Sequence, residues 1–270
     1  MQLHFHKMNG AGNDFVVIDN RKLDTNLSRE QISLLCDRQR GIGADGLLAV
    51  EPAEKGADYK FRYYNADGGE AEMCGNGARC FGRYTAALSE ESVSSVTFET
   101  IAGTLSAEMI DTDVKIAMSD PFDLSLNTDI SIDGLDADIH CINTGVPHVV
   151  VFVDDLENTD VLKHGAAIRY HSHFAPAGTN VNFVSVTADS HIAIRTYERG
   201  VEGETLACGT GMTAAALIHN LLTGTTSPIS VDVAGGETLQ IGFEKGDNNT
   251  FFNVTLTGPA DLVFEGDITI

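Results

Sequence analysis

The tetrapeptide Cys-Gly-x-Gly occurs twice in this chain, as Cys74-Gly75-Asn76-Gly77 and as Cys208-Gly209-Thr210-Gly211. The copies stand 134 positions apart in 270 residues, close to half the length. The same offset places Gly69 and Glu70 on Gly203 and Glu204, Asn9 on Asn143, and Phe15-Val16-Val17 on Val149-Val150-Val151. An internal duplication accounts for all of these together and predicts two similar halves with one cysteine in each. Two such halves can face each other across a cleft, a thiol arriving from each side. That arrangement suits a reaction in which one thiol removes a proton and the other supplies one to the opposite face.

With 43% hydrophobic residues the chain can build two modest cores or one large one. No stretch approaches the roughly 18–20 uninterrupted apolar residues of a membrane span. The start, MQLHFHKMNGAG, alternates like a strand and lacks the basic opening and apolar centre of a secretory signal. Five cysteines, an odd count without a C-x-x-C pair, suggest neither a disulfide framework nor a zinc ribbon. The expected setting is reduced and cytoplasmic. A formal charge of −22 with scattered basic residues argues against nucleic acid as a partner. The acidity fits salt adaptation and ordinary solubility alike.

Residues 2–8 and 14–19 read as strands joined by the Gly-rich turn 9–13. Ser28 followed by Gln31 is a capping box that opens a short helix through Ile32, Leu34, Leu35 and Cys36. Strands are predicted at 47–50, 60–64, 93–99, 104–109 and 114–118, with a helix from Gly77 to Leu88. Ser119-Asp120-Pro121 is the linker candidate, which sets the domains at 1–118 and 119–262. The second half repeats the plan. It has strands at 138–143 and 148–153, a His-rich irregular stretch, strands at 181–186 and 191–197, and a helix 212–222 stopped by Gly224. Strands near 229–233, 238–243, 251–256 and 262–264 follow. Each half is mostly strand with one long internal helix that begins just after its cysteine.

A free thiol titrates near ~8.5 and is a poor base at neutral pH. At a helix N-terminus the unsatisfied N–H groups and the positive end of the dipole favour thiolate, and the flanking glycines leave room for an anion. One motif can therefore supply both a proton-transfer group and a carboxylate cradle. A lone free cysteine is more often plain core, but the repetition of motif and context favours a site. Cys36, Cys80 and Cys141 read as core. Gly41-Ile42-Gly43-Ala44-Asp45-Gly46 fits G-x-G-x-x-G, yet it follows a helix and precedes a strand, the reverse of the dinucleotide order. His164, His171 and His173 read as polar loop histidines, and no metal is expected. His148, after Pro147 at the start of an apolar strand, is a candidate cleft residue. Glu198-Arg199 ends a strand, and Arg199 suits bidentate capture of a carboxylate.

Taken together, NGAGNDF (9–15), GIGADG (41–46), NADGGE (65–70), MCGNGARC (73–80), PH (147–148), ER (198–199) and ACGTG (207–211) resemble the diaminopimelate epimerase family, in the family's order and over nearly the whole chain. CGNGAR with the paired ACGTG is highly specific. The resemblance implies an α/β fold of α+β type: two pseudo-symmetric domains, each a β-barrel-like sheet around a central helix, with residues 263–270 returning to the first. It implies a cofactor-independent isomerase that interconverts LL- and meso-diaminopimelate in lysine and peptidoglycan precursor synthesis, and it allows a homodimer. Cys74 and Cys208 would be the two catalytic acid/base residues. Asn13, Asn65, Asn180, Glu198 and Arg199 would hold the substrate, and Gly75-Asn76 and Gly209-Thr210 would cradle the α-carboxylate. His148 and Glu198 would flank the reacting centre. Two departures stand out: many members have Gln in place of Gly46, and Asn in place of Val146.

Two rivals remain at this point. Cofactor-independent proline or hydroxyproline racemases also resemble this fold and pair two cysteines, but a cyclic monocarboxylate has no need of a second carboxylate-binding Arg. A non-catalytic protein with a switchable disulfide would show thiol oxidation without proton exchange.

Overall fold

The computed structural model describes residues 1–71, 73–89, 92–101 and 103–270. The chain divides into two compact units, Met1–Ala117 with Gly258–Ile270, and Met118–Thr257. In the first, β1 (Gln2–Gly10) and β2 (Asn13–Asp19) form an antiparallel hairpin. Its two-residue turn, Ala11-Gly12, has both φ angles positive, at 60° and 82°. This is the twist-matched turn of tight hairpins. Helix α1 (Arg29–Cys36) follows, with both hydrogen bonds of the capping box formed between Ser28 and Gln31. Then come β3 (Gly46–Pro52), β4 (Tyr59–Asn65), the two-residue β5 (Glu70–Ala71), α2 (Gly75–Ala87), β6 (Ser95–Thr100), β7 (Gly103–Ile110) and β8 (Asp113–Ala117). The strand Asp261–Thr269 pairs antiparallel with β1 on the edge that β2 leaves open.

The run Phe15-Val16-Val17-Ile18 is buried throughout because both faces of β2 are covered, which removes the usual strand alternation. One face meets α1 through Val16, Ile18, Ile32 and Leu35. The sheet's other face wraps α2, whose Phe81 ring packs 5.0 Å from Phe61 and 4.9 Å from Phe98. Arg79, on the same helix and fully buried, donates from Nε to the Pro259 carbonyl oxygen at 3.2 Å.

The second unit holds β9 (Phe122–Ser125), β10 (Ile139–Asn143), β11 (Pro147–Phe152), α3 (Val161–Arg169), β12 (Asn180–Ala188), β13 (His191–Glu198), β14 (Gly203–Thr205), α4 (Gly209–Thr223), β15 (Ile229–Asp232), β16 (Thr238–Lys245) and all but the last two residues of β17 (Phe251–Pro259). Its pairing repeats that of the first unit. β11 and β12 run parallel as β2 and β3 do, β13 and β15 parallel as β4 and β6 do, and the other equivalent pairs are antiparallel. Helix α4 is buried nearly all round, from Met212 to Ile218, and ends at Gly224 in the left-handed region (φ 76°). Both units therefore follow the duplicated plan, with a central helix that begins one residue after its cysteine.

Three features differ from the sequence reading. The stretch expected to be irregular contains α3, capped by the Asp160 side chain on the Lys163 N–H and packed through Val161 and Ile168. The central helices begin at Gly75 and Gly209, earlier than expected, so the motif glycines lie inside the first turn. Cys141 is only half-buried, whereas Cys36 and Cys80 are core, and burial pushes their thiols up to about 11 and about 12.

Candidate active site

In the first unit the candidate residues gather at one end of the sheet. The register sets Phe15 beside Gly46 and Gly46 beside Asn65, so the start of β2, the start of β3 and the end of β4 share that end with the start of α2. Cys74 is the N-cap of α2, with extended backbone, and its Sγ accepts from the Gly77 N–H at 3.5 Å. The thiol also donates to Asn13 Oδ1 at 3.5 Å, and Asn76 Nδ2 donates to the same oxygen at 3.4 Å. Asn13, Cys74 and Asn76 are thus brought together. Gly75 sits between them in the first helical turn. Asn65 is exposed at the strand end, its Oδ1 accepting from the Tyr63 hydroxyl at 2.8 Å.

Gly46 is tightly enclosed. A Cβ there would lie 2.6 Å from the Tyr64 carbonyl oxygen and 2.7 Å from the Tyr63 ring. The ring can turn but the strand carbonyl cannot. Gly46→Gln is therefore expected to destabilise the fold by about 1–3 kcal/mol, read as a lowered thermal midpoint. An unchanged midpoint would mean that the strand yields.

In the second unit Cys208 is the N-cap of α4, with its Sγ 3.6 Å from Thr210 Oγ1. The Thr210 hydroxyl is 2.9 Å from His148 Nε2, and the Thr144 hydroxyl donates to the Thr210 carbonyl oxygen at 2.9 Å. Asn182 settles the direction of this chain. Its Oδ1 accepts from Thr196 Oγ1 at 3.0 Å, and its Nδ2 donates to the Val149 carbonyl oxygen at 2.9 Å. The group 3.1 Å from His148 Nδ1 is therefore a donor. Nδ1 accepts, the neutral ring carries its proton on Nε2, and that proton goes to Thr210. The Thr210 oxygen keeps a second lone pair as well as its own proton, so toward the Cys208 sulfur it can act as donor or acceptor. The two cysteines thus meet different side chains: the Asn13 carbonyl oxygen at Cys74 and the Thr210 hydroxyl at Cys208.

His148 is buried, and loss of hydration, together with the Arg199 charge, lowers its pKa to about 3. In the unfolded chain it titrates near its ordinary 6.5. As pH falls below that value the unfolded state takes up a proton that the folded state refuses, so stability is full above about 6.5 and drains away toward about 3. Between pH 7 and 5 this one group should remove about 2 kcal/mol. Urea unfolding of His148→Gln should show that much less acid sensitivity than the parent protein, and an equal slope would remove the assignment.

Asn180 begins β12 opposite His148. Its Oδ1 accepts from the Arg199 backbone N–H at 2.8 Å, and its Nδ2 donates to the Pro147 carbonyl oxygen at 3.2 Å. Asn180 therefore fixes the chain at Arg199. The guanidinium of Arg199 donates through Nη1 to the carbonyl oxygens of Ala177 and Gly178 at 3.3 and 3.5 Å. Glu198 ends β13 beside it, its pKa raised by burial. Gly209 opens α4, and its carbonyl oxygen accepts from the Thr213 hydroxyl at 3.0 Å.

A model of the diaminopimelate epimerase family matches residues 5–122 and 140–263. The chain belongs to that family. Among its relatives, the diaminopimelate epimerase of Chlorobaculum tepidum is 43% identical over 269 residues, covering 97% of this chain and all of that one. The Aquifex aeolicus enzyme of the same name is 42% identical over 282 residues, covering 99% and 98%. The chain is thus an isomerase of the amino-acid epimerase type. The fold is shared more widely. A Bacillus anthracis phenazine biosynthesis protein of the PhzF family matches with a TM-score of 0.76 at 16% identity, covering both chains completely. A probable proline racemase from Agrobacterium radiobacter matches at 0.73 with 17% identity, covering 99% and 93%. The expected α/β fold class is borne out.

Sequence reasoning misses Asp45, Arg38, Asp14 and Lys7 behind Asn13, and Asn182 behind His148. The pattern GIGADG invites comparison with a dinucleotide loop, although its acidic residue is what reaches the site. Asn182 lies two residues past Asn180 on a strand buried on both faces, where a polar side chain is itself a signal.

Proposed function

We propose that the protein interconverts LL- and meso-diaminopimelate without a cofactor, by transfer of the α-proton between two thiols. The observation that carries this reading is the same placement in both units: a cysteine as N-cap of the unit's buried central helix. One cysteine as thiolate takes the α-proton, and the electron pair of the broken C–H bond is left on the α-carbon and its carboxylate. The other cysteine as thiol gives its proton to the opposite face. The α-proton is weakly acidic, so stabilisation of the developing anion does most of the work. The first-turn N–H groups at Gly75-Asn76 and Gly209-Thr210 supply it. Arg199, held by Asn180, takes a carboxylate of this two-ended substrate, and Asn13, Asn65 and Glu198 complete the polar lining. His148 orders Thr210 against Cys208. We place the reaction in lysine and peptidoglycan precursor synthesis in the cytoplasm, with a homodimer as the assembly and neither nucleic acid nor membrane as partner. No helix among the described residues is long and apolar enough to cross a membrane.

Incubation of LL-diaminopimelate in deuterated water with chelator present tests this. Loss of the α-proton signal and appearance of the meso isomer are expected. Exchange of proline with no exchange of diaminopimelate would assign the protein to the cyclic-substrate racemases, and oxidation of the thiols with no exchange at all would assign a redox role.

A further inference from the structure

An asparagine amide can present either its oxygen or its NH2 to a neighbour, and the two ends are nearly the same shape. Asn13 has no such freedom. Its Nδ2 lies 2.6 Å from Asp45 Oδ2, and a carboxylate only accepts. Asp45 is itself fixed, taking the Asp14 N–H at 3.2 Å and Arg38 Nη2 at 2.8 Å. Arg38 also grips Asp14 through two bonds of 2.9 and 2.7 Å, and Lys7 meets Asp14 at 2.7 Å while donating to the Gly43 carbonyl oxygen. Two cations thus balance two carboxylates. Burial alone would push the Asp14 carboxyl up, but the Arg38 and Lys7 hydrogen bonds hold it at about 2. A flipped Asn13 would set its oxygen against the Asp45 carboxylate and its NH2 against the NH2 of Asn76.

Resting on the reading that Cys74 exchanges protons with substrate, we propose that Asp45 is a positioning residue, which turns the Asn13 carbonyl oxygen onto the Cys74 thiol and so holds that cysteine by its proton. A carbonyl oxygen stabilises S–H and repels S⁻, whereas the Gly77 N–H favours S⁻. Asp45 sets the balance between them through a neighbour, without touching sulfur. It also gives the one acidic residue of GIGADG a role that a phosphate loop would not require.

The test uses Asp45→Asn in the full-length protein. The amide introduced there can offer either a donor or an acceptor, so Asn13 is released to turn its NH2 toward the sulfur. Alkylation of Cys74 by iodoacetamide at pH 7, followed by peptide mass spectrometry and normalised to Cys208 in the same molecules, should rise by at least about threefold, half a pKa unit. The kcat for epimerisation should fall more than KM changes. Asp45→Glu, which remains acceptor-only, should keep the parent ratio. Removing a negative charge also favours thiolate through space, and Asn13→Ala separates the two effects. On that background Asp45→Asn should add only the through-space part, well below the roughly threefold rise it causes when Asn13 is present. A comparable rise with Asn13 absent overturns the proposal, as does a parent-like ratio in a cooperatively folding Asp45→Asn protein. Should that variant not fold, Asn13→Ala must raise the ratio by itself, and failure to do so is equally fatal. The alkylation readout uses no substrate, so it stands or falls separately from the epimerase reading.

Discussion

Cys74→Ala and Cys208→Ala should each abolish epimerisation, with losses of at least about 10³-fold, in the range that a positioned acid or base contributes. The two variants should fail differently. Each keeps one thiol, and that thiol can still wash out the α-proton of the isomer whose hydrogen faces it. In deuterated water, residual exchange should therefore favour LL-diaminopimelate in one variant and the meso isomer in the other. In the proposed mechanism the asymmetry follows from each thiol serving one face; the surroundings of the two sulfurs differ as well, Cys74 donating to Asn13 while Cys208 faces the Thr210 hydroxyl. Equal exchange of both isomers by one variant would indicate a single base serving both faces. Undiminished epimerisation in either variant would remove that cysteine from the chemistry. On the proposed two-thiol mechanism the pair should also titrate as a unit in the parent protein.

Gly211→Ala should damage stability and catalysis together. A Cβ at Gly211 would sit 2.3 Å from Asn182 Oδ1, in a fully buried place where the side chain has nowhere to retreat. Asn182 must shift, losing Thr196 on one end and His148 on the other. The expected cost is about 1–3 kcal/mol of stability from overpacking, read from urea midpoints. The turnover number should fall by at least about tenfold, since His148 loses the donor that fixes its tautomer. Gly203→Ala is the control: its added methyl meets nothing within 4 Å, and its stability should stay within about 0.5 kcal/mol of the parent. If Gly211→Ala keeps parental turnover, the Asn182–His148–Thr210 chain is not needed for catalysis.

Much of this molecule is legible in the sequence because it is written twice. The Cys-Gly-x-Gly pair locates α2 and α4, and the apolar run Ala214-Ala215-Ala216 marks α4 as enclosed. Helix α3 escapes the sequence for a physical reason: Leu162 is exposed and Gly165 interrupts the pattern, so its apolar periodicity is weak. The duplication offset points to it all the same, since α1 shifted by 134 positions falls on α3. The network behind Asn13 is illegible because its parts are far apart in sequence. Lys7 and Asp14 come from two strands and Arg38 and Asp45 from the loop between α1 and β3, and each alone reads as a surface charge. Only the fold buries Lys7 and brings the four together. The departure at Gly46 is visible in the sequence, but not the enclosure of that position by the Tyr63 ring and the Tyr64 carbonyl oxygen of the neighbouring strand.

The pairing of β1 with Asp261–Thr269 fixes an order of events during synthesis. β1 is among the first segments to leave the ribosome, yet its second partner is made only after the whole of the other unit. At about 5–20 residues per second, that interval is on the order of tens of seconds. Throughout it β1 presents an unpaired edge, with backbone donors and acceptors open to any passing strand. The second unit, contiguous from Met118 to Thr257, carries no such delay. The half of the protein that is made first is therefore the half that is finished last, and a nascent chain stalled before residue 261 would expose that edge to chaperones and to its neighbours on the same message.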